Sequence, residues 1–177
     1  DIEIDWLIFL CTKLPKSFKP ISKKSVKKLE LFKNGFNDQY VLKIKKIEAT
    51  TNHDVKAVEY FIRDYFIKDK TLLGYTHLIH FGLTSEDVNS LSYAYLVKNG
   101  ITLFVNEISI INKTLKSYST KWSKISFLAR THGQPASPST IGKELKVFSS
   151  RIDREIKILK AIKPLAKFSG ATGNFHT

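Results

Sequence analysis

The sequence predicts an all-α fold that joins the remainder of an N-terminal helical domain to the first long helices of a central helical bundle. Three observations favour this fold class. Apolar residues recur three and four positions apart over long stretches, no alternating strand pattern persists, and the 177 residues include only eight glycines and five prolines. We place a domain boundary near Gly74, which divides the chain into 1–74 and an incomplete bundle domain, 75–177.

Three amphipathic stretches predict the main helices. Residues 54–66 carry apolar side chains three or four positions apart, which places them on one face. A second stretch begins near Val88 and continues past Gly100, where we expect a possible kink. The third keeps helical spacing over 141–162, or roughly 33 Å of helix at 1.5 Å per residue. Helices of this length are typical of bundles.

The composition excludes several classes of protein. No apolar run is long enough to cross a membrane, so we expect neither a membrane span nor a membrane partner. A single cysteine, Cys11, excludes an internal disulfide framework and favours a reducing compartment such as the cytoplasm. The sequence contains no methionine, so we expect that its first residue is not a translation start. We therefore expect a fragment, or the ordered part, of something longer.

The net charge of +13 raises the question of nucleic-acid binding. Between Cys11 and Lys46 there are eleven lysines and only two acidic residues. Arginine, which reads bases better because its guanidinium binds in a bidentate manner, is scarce. A lysine-rich solvated surface explains this distribution, and we expect no nucleic-acid partner.

Polar residues gather where the three helices begin. The segments are TNHD at 51–54, TSED at 84–87 and THGQ at 131–134. The first two fit the capping pattern of Ser or Thr followed three residues later by an acid, so capping alone would explain them. A helix start also offers free amides and a positive dipole end, so LTSED could bind a carboxylate or phosphate. Its two acids would repel an anion unless they point back to the cap or toward a basic neighbour.

Among the histidines, His132 is the best candidate for acid or base chemistry. Gly133 permits close approach of a ligand, and two prolines stiffen the segment that follows. His53 lies in a polar helix start, where an imidazole could bind a ligand or a catalytic partner. His77 and His80 are three apart but have no third ligand nearby in sequence, so we expect no metal site. We predict that His77 is packed, and the role of His80 stays open.

Four segments resemble the adenylosuccinate lyases of the fumarase and aspartase superfamily. In chain order they are ATTNHDVKAVEYF, HFGLTSEDVNSLSYA, LARTHGQPASPSTIGKEL and FSGATGNFH. The similarity runs from about Trp6 to the end of the chain. Glycine at position 133 favours these enzymes over fumarases and argininosuccinate lyases, which usually carry a different residue there.

The resemblance implies an activity and an assembly. These enzymes are helical homotetramers whose active sites are shared between subunits, and they cleave adenylosuccinate to AMP and fumarate. They also release fumarate from the succinyl-carboxamide intermediate of purine synthesis. The resemblance implies no metal and no organic cofactor.

The resemblance also implies roles for single residues. His132 matches the catalytic histidine acid, which protonates the departing nitrogen. The residues that match substrate-binding positions all lie in the polar helix starts: Asn52, His53, Asp54, Thr84, Ser85 and Thr131.

One departure from the family is large. The family's base is a serine in a flexible loop with a pattern like SSxMPxKxNP, and nothing in this sequence fits that pattern. We expect the loop, and the later residues that bind carboxylates and phosphate, to lie outside the chain. Two alternatives stay open: another fumarate-releasing lyase of the superfamily, or a basic helical module that binds RNA or assembles a partner.

Overall fold

The computed structural model describes residues 1–176, and most of them are helical. The helices are α1 (Ile2–Lys13), α2 (Lys23–Asn34), α3 (Asp38–Thr51), α4 (Asp54–Phe66), a 3₁₀ helix (Leu73–Leu78), α5 (Ser85–Lys121) and α6 (Ile141–Ala161). Two strands, β1 (Ser126–Thr131) and β2 (Gln134–Thr140), form an antiparallel hairpin. The predicted helical class is confirmed, but the hairpin was not predicted from the sequence.

The chain divides into two compact units. The first contains Asp1–Tyr93 together with the segment that starts at Ala166, and the second contains Ala94–Leu165. The boundary near Gly74 stays a prediction. None of the helices within residues 1–176 combines the length and hydrophobicity needed to cross a bilayer.

The first unit has a core packed from α1, α2, α4 and the 3₁₀ helix. Side chains with no exposed surface anchor it: Leu7, Leu29, Phe66 and Leu72. Full burial of one such side chain stabilises the fold by about 1.5–3 kcal/mol. Phe32 stacks on Tyr65 with ring centroids 3.9 Å apart. The span of α4 agrees with the helix predicted over 54–66, so the apolar spacing identified this element correctly.

The long helix α5 is uninterrupted over 37 residues and continues through Gly100. The kink at Gly100 stays a prediction. Nothing lies within 4 Å of the position that a Cβ at Gly100 would occupy. The glycine is therefore tolerated in the helix, at a typical cost of about 1 kcal/mol relative to alanine, and it is not required by a close neighbour.

In the second unit, α6 packs against the C-terminal part of α5. Ser119 Oγ donates to the carbonyl of Gly142 at 2.8 Å. A Cβ at Gly142 would lie 2.3 Å from the carbonyl oxygen of Ser119, so only glycine allows this approach. One turn earlier on α5, Lys116 Nζ lies 2.8 Å from Asp153 Oδ1. The contact at Gly142 fixes the start of α6, which directly follows the hairpin, and the ion pair at Asp153 joins the two helices further along.

The hairpin reverses direction in a two-residue loop formed by His132 and Gly133. Their φ values are 51° and 76°, and positive φ at both central residues is the property of type I′ turns, which suit tight hairpins. Pro135 and Pro138 lie in β2 although proline cannot donate to a ladder. A hairpin of two strands tolerates them, since each strand is an edge.

Candidate active site

The start of α4 is built by a sharp turn after α3. α3 ends at Thr51, and Asn52 takes the left-handed conformation with φ 51°, which asparagine tolerates better than most residues. His53 caps α4, because its Nδ1 accepts a hydrogen bond from Lys56 N at 3.2 Å. The capping box expected from Thr51 and Asp54 is therefore wrong: Thr51 belongs to the preceding helix, and its Oγ1 donates to the carbonyl of His53 at 3.2 Å.

The His53 imidazole connects the starts of α4 and α5. Since Nδ1 accepts, the neutral ring carries its hydrogen on Nε2, and Nε2 lies 3.4 Å from Ser85 Oγ. Ser85 then accepts from the imidazole, so its own hydroxyl hydrogen is available to a ligand. Asp54 Oδ1 lies 3.4 Å from His53 Nδ1. Two segments that are distant in sequence thus contribute polar groups to one place.

This part of the first unit has an open depression of about 740 Å³, which is within the usual size of ligand sites. It is lined by Lys45, Glu48, Ala49, Asn52, His53 and Asp54. The side chains of His53 and Asp54 are 46% and 64% exposed. They are accessible to a molecule that enters from solvent.

The start of α5 is held by a carboxylate. Asp87 Oδ2 accepts from Thr84 N at 3.0 Å and from Thr84 Oγ1 at 2.9 Å. Asp87, the last residue of TSED and three positions after Thr84, therefore reaches back to the cap, as in a capping box. Both donors of Thr84 are engaged, which leaves Ser85 as the side-chain hydroxyl donor that can serve a ligand.

Asp87 also binds a segment that lies 80 residues further along the chain. Its Oδ1 accepts from Lys167 Nζ at 2.9 Å, Ser169 N at 2.9 Å and Gly170 N at 3.1 Å. Burial opposes ionisation, but the Lys167 ammonium and the amides hold the pKa of Asp87 well below its usual range. Of the two acids in LTSED, Asp87 thus points to the cap and to a basic neighbour, whereas Glu86 is exposed.

Thr131 and His132 belong to the second unit, whereas Asn52, His53, Asp54, Thr84 and Ser85 belong to the first. Thr131 ends β1, and His132 follows at the tip of the hairpin, where both residues are exposed. A residue other than glycine with positive φ is uncommon. The tight turn thus presents the imidazole on an exposed edge of the second unit.

The structure gives His80 a role in the loop before α5. Its Nδ1 lies 2.6 Å from Glu3 Oε1, and its Nε2 lies 3.8 Å from Glu59 Oε1. The hydrogen bond to Glu3 raises the pKa of His80 and outweighs the opposing effect of burial. His77 is exposed, so the predicted packing of that residue is wrong.

Sequence reasoning missed two partners of these loops. Glu3 lies 77 residues before His80, and no local pattern connects them. Lys167 directly precedes the FSGATG segment, so its proximity to one of the four motifs was the available signal. Within residues 1–176, no group of three His, Cys, Asp or Glu side chains could hold a metal ion.

Comparison with known protein families identifies the chain. The family model described as Lyase matches residues 10–177. The chain belongs to this family. The match confirms the lyase membership predicted from the four motifs.

Curated proteins that are similar in sequence to this chain are named adenylosuccinate lyase. The chain is 37% identical to the enzyme of Buchnera aphidicola subsp. Acyrthosiphon pisum, 38% to that of Vibrio cholerae and 41% to that of Dictyostelium discoideum. Each alignment covers 99% of this chain and 39% of the relative. The chain therefore spans about two fifths of the length of the relatives that it matches.

Solved structures confirm the fold. A crystal structure of fumarate lyase from Mesorhizobium sp. BNC1 aligns with a TM-score of 0.75 at 18% identity, over 98% of this chain and 40% of that one. The β-carboxy-cis,cis-muconate cycloisomerase of Acinetobacter calcoaceticus aligns with a TM-score of 0.68 at 16% identity, with the same coverage. At these identities the likeness shows the fold alone.

Proposed function

We propose that the full-length protein is an adenylosuccinate lyase, which cleaves adenylosuccinate to AMP and fumarate and also releases fumarate from the succinyl-carboxamide purine intermediate. The observation that supports this most is the 37–41% identity to enzymes of that name over 99% of the chain. The approach of His53 Nε2 to Ser85 Oγ adds support, because it brings polar groups from two of the motifs together.

The reaction is a β-elimination. A base removes a proton from the succinyl carbon next to a carboxylate, and the released electron pair forms the double bond of fumarate as the carbon–nitrogen bond breaks. The purine nitrogen must then take up a proton, and we assign its donation to His132. The exposed position of His132 at a hairpin tip suits a group that must reach a bound substrate.

The remaining residues bind the substrate. We assign Ser85 and Thr131 to the succinyl group as hydroxyl donors, since charge develops on its carboxylate as the proton leaves. Asn52, His53 and Asp54 line the nucleotide side. Thr84 donates to a ligand only when it gives up Asp87, so its main contribution is to hold the position of Ser85.

The proposal extends to assembly and location. The groups of one site come from several subunits of a homotetramer in the cytoplasm, and the catalytic base comes from the family's serine loop, whose pattern does not occur in these 177 residues. The elimination needs an acid, a base and charge stabilisation, so we propose no metal and no organic cofactor.

The test is a comparison of substrates. We would assay the full-length protein for fumarate release from adenylosuccinate and from argininosuccinate under the same conditions. We expect release from adenylosuccinate alone. Release from argininosuccinate alone would identify a different lyase of the superfamily, and release from neither would contradict the proposal.

A further inference from the structure

We propose that Asp87 is a positioning residue that clasps the segment Lys167–Gly170 onto the start of α5 and thereby holds Thr84 and Ser85 in the geometry that binds substrate. The last step of this inference rests on the proposed function, because it takes Ser85 to contact substrate. The clasp itself rests on contacts within the first unit alone.

One buried carboxylate serves two distant segments. The Asp87 side chain is 2% exposed, and its two oxygens divide their partners. Oδ2 takes both donors of Thr84, while Oδ1 takes Lys167 Nζ and the amide of Ser169. Hydrogen bonds to an ionised acceptor are roughly twice as strong as neutral ones, so a single side chain can hold both segments.

A second set of contacts keeps the clasped segment in place. One turn further along α5, Ser90 Oγ accepts from Lys167 N at 3.1 Å. The Phe168 ring packs on Trp6 of α1 with centroids 5.1 Å apart. Trp6 Nε1 in turn donates to the carbonyl of Phe81 at 2.7 Å. The segment is thus attached to α5 and to α1, and α1 also holds the loop that leads into Thr84.

These contacts explain why the clasp would affect substrate binding as well as stability. Asp87 engages the amide and the hydroxyl of Thr84, which fixes the orientation of that residue and of the peptide that follows. Ser85 Oγ lies 3.4 Å from His53 Nε2 in this arrangement. A displacement of about 1 Å in a substrate contact can cost a hundredfold in rate. Lys167 also neutralises this carboxylate, so Asp87 itself would not repel an anion near Ser85.

The first experiment tests the clasp without any assay of activity. We would measure amide hydrogen exchange by NMR in Asp87→Asn and in Asp64→Asn, a control that changes an exposed aspartate of α4. We expect the amides of Thr84, Ser169 and Gly170 to exchange at least about tenfold faster in Asp87→Asn, because their charged acceptor is lost. The control should leave them unchanged. Unchanged exchange in Asp87→Asn would overturn the clasp.

The second experiment tests its effect on substrate. In the full-length protein, we expect Asp87→Asn to lower kcat/KM for adenylosuccinate by about a hundredfold, with a rise in KM, when measured well below the melting temperature. A role in stability alone would lower the melting temperature and leave kcat and KM of the folded enzyme unchanged. That result would overturn the positioning role.

A milder variant keeps the test decisive if Asp87→Asn does not fold. Lys167→Gln removes the ammonium but leaves Asp87 its bonds to Thr84 and to the amides of Ser169 and Gly170. We expect a smaller rise in KM than in Asp87→Asn, with a melting temperature close to that of the wild type. An unchanged KM would overturn the positioning role. If the wild-type protein does not cleave adenylosuccinate, the proposed function fails, while hydrogen exchange still decides the clasp.

Discussion

The starts of α4 and α5 carry the same sequence pattern, a threonine followed three residues later by an aspartate, yet they fold differently. At the start of α5, Thr84 precedes the helix and Asp87 returns to bind it. At the start of α4, the threonine ends the preceding helix and His53 provides the cap. The aspartates differ most: the Asp54 side chain is 64% exposed and that of Asp87 is 2% exposed.

The difference shows that the chain before a capping motif decides how the motif is used. Only two residues separate α3 from α4, so Thr51 is the last residue of α3 and the backbone reverses sharply at Asn52. A longer loop after the 3₁₀ helix leads into α5, and α1 holds that loop through Trp6. The α4 start therefore leaves its polar groups open to solvent, whereas the α5 start uses most of them within the protein.

The largest expected effect is on stability, in a pair of alanine variants. Asp87→Ala removes a buried carboxylate that pairs with the partly exposed Lys167, and it leaves the amides of Thr84, Ser169 and Gly170 without this acceptor. We therefore expect a loss of about 3 kcal/mol in the free energy of unfolding. Asp54→Ala removes an exposed carboxylate and should cost less than about 1 kcal/mol. Urea denaturation measures the free energy of unfolding of both variants. Equal losses would contradict the difference between the two helix starts.

A second prediction separates the two hydroxyls of the α5 start by kinetics. Ser85→Ala should lower kcat/KM for adenylosuccinate by at least about tenfold, since its hydroxyl hydrogen is the one available to substrate. Thr84→Val removes a bond to Asp87 and should mainly lower stability, by about 1 kcal/mol. Steady-state kinetics and thermal melting of each variant give the answer. A larger loss of kcat/KM in Thr84→Val than in Ser85→Ala would show that Thr84 releases Asp87 and binds the ligand instead.

The third prediction concerns pH. The bond to Glu3 raises the pKa of His80, against the effect of burial. Its charged form therefore contributes stability that is fully present below about pH 6.5, the usual value for histidine, and is lost as pH rises through the raised pKa. Glu3, Glu59 and Lys56 are the charged groups that act on it.

We expect the urea midpoint to fall as the pH is raised above about 6.5. His80→Gln should flatten this dependence, and His53→Gln, which changes the α4 start instead, should retain it. If His80→Gln shows the same slope as the wild type, the bond between Glu3 and His80 does not control stability.

The smallest expected effect is on binding of nucleic acid. Residues 13–28 contain seven lysines and no acid, and one of these lysines, Lys28, is paired with Asp69. The segment lacks aromatic residues spaced to stack on successive bases. We expect RNA affinity weaker than micromolar at physiological salt, measured by fluorescence anisotropy. Submicromolar binding would revive the RNA-binding alternative.

Local spacing was enough to predict α4, α5 and α6, whereas the helices before residue 52 were predicted only collectively, as a helical domain. The apolar repeat located α4, and it placed α6 within one residue of its end, because contacts along one helix face depend on neighbours three and four positions apart. The hairpin was missed because its two strands carry no alternating apolar pattern, the signal from which strands are predicted. Local spacing also could not predict the clasp at Asp87, whose partners lie 80 or more residues away.

The candidate site was predictable only as separate pieces. Motifs identified His53 and Ser85 individually, but their approach to 3.4 Å depends on how α4 and α5 pack. The orientation of Asp87 depends on Lys167 and on the amides of Ser169 and Gly170. Periodicity carries no information about such contacts, because each one joins segments through the tertiary fold.

The most direct test of the central claim is the turnover of adenylosuccinate by full-length protein with His132→Gln, compared with His77→Gln. Both variants remove an exposed histidine, but only His132 is assigned to proton donation. Loss of a general acid costs about a hundredfold or more, so we predict that fall in kcat for His132→Gln, unchanged helix content, and normal turnover for His77→Gln. Near-normal turnover by a folded His132→Gln enzyme would contradict the assignment.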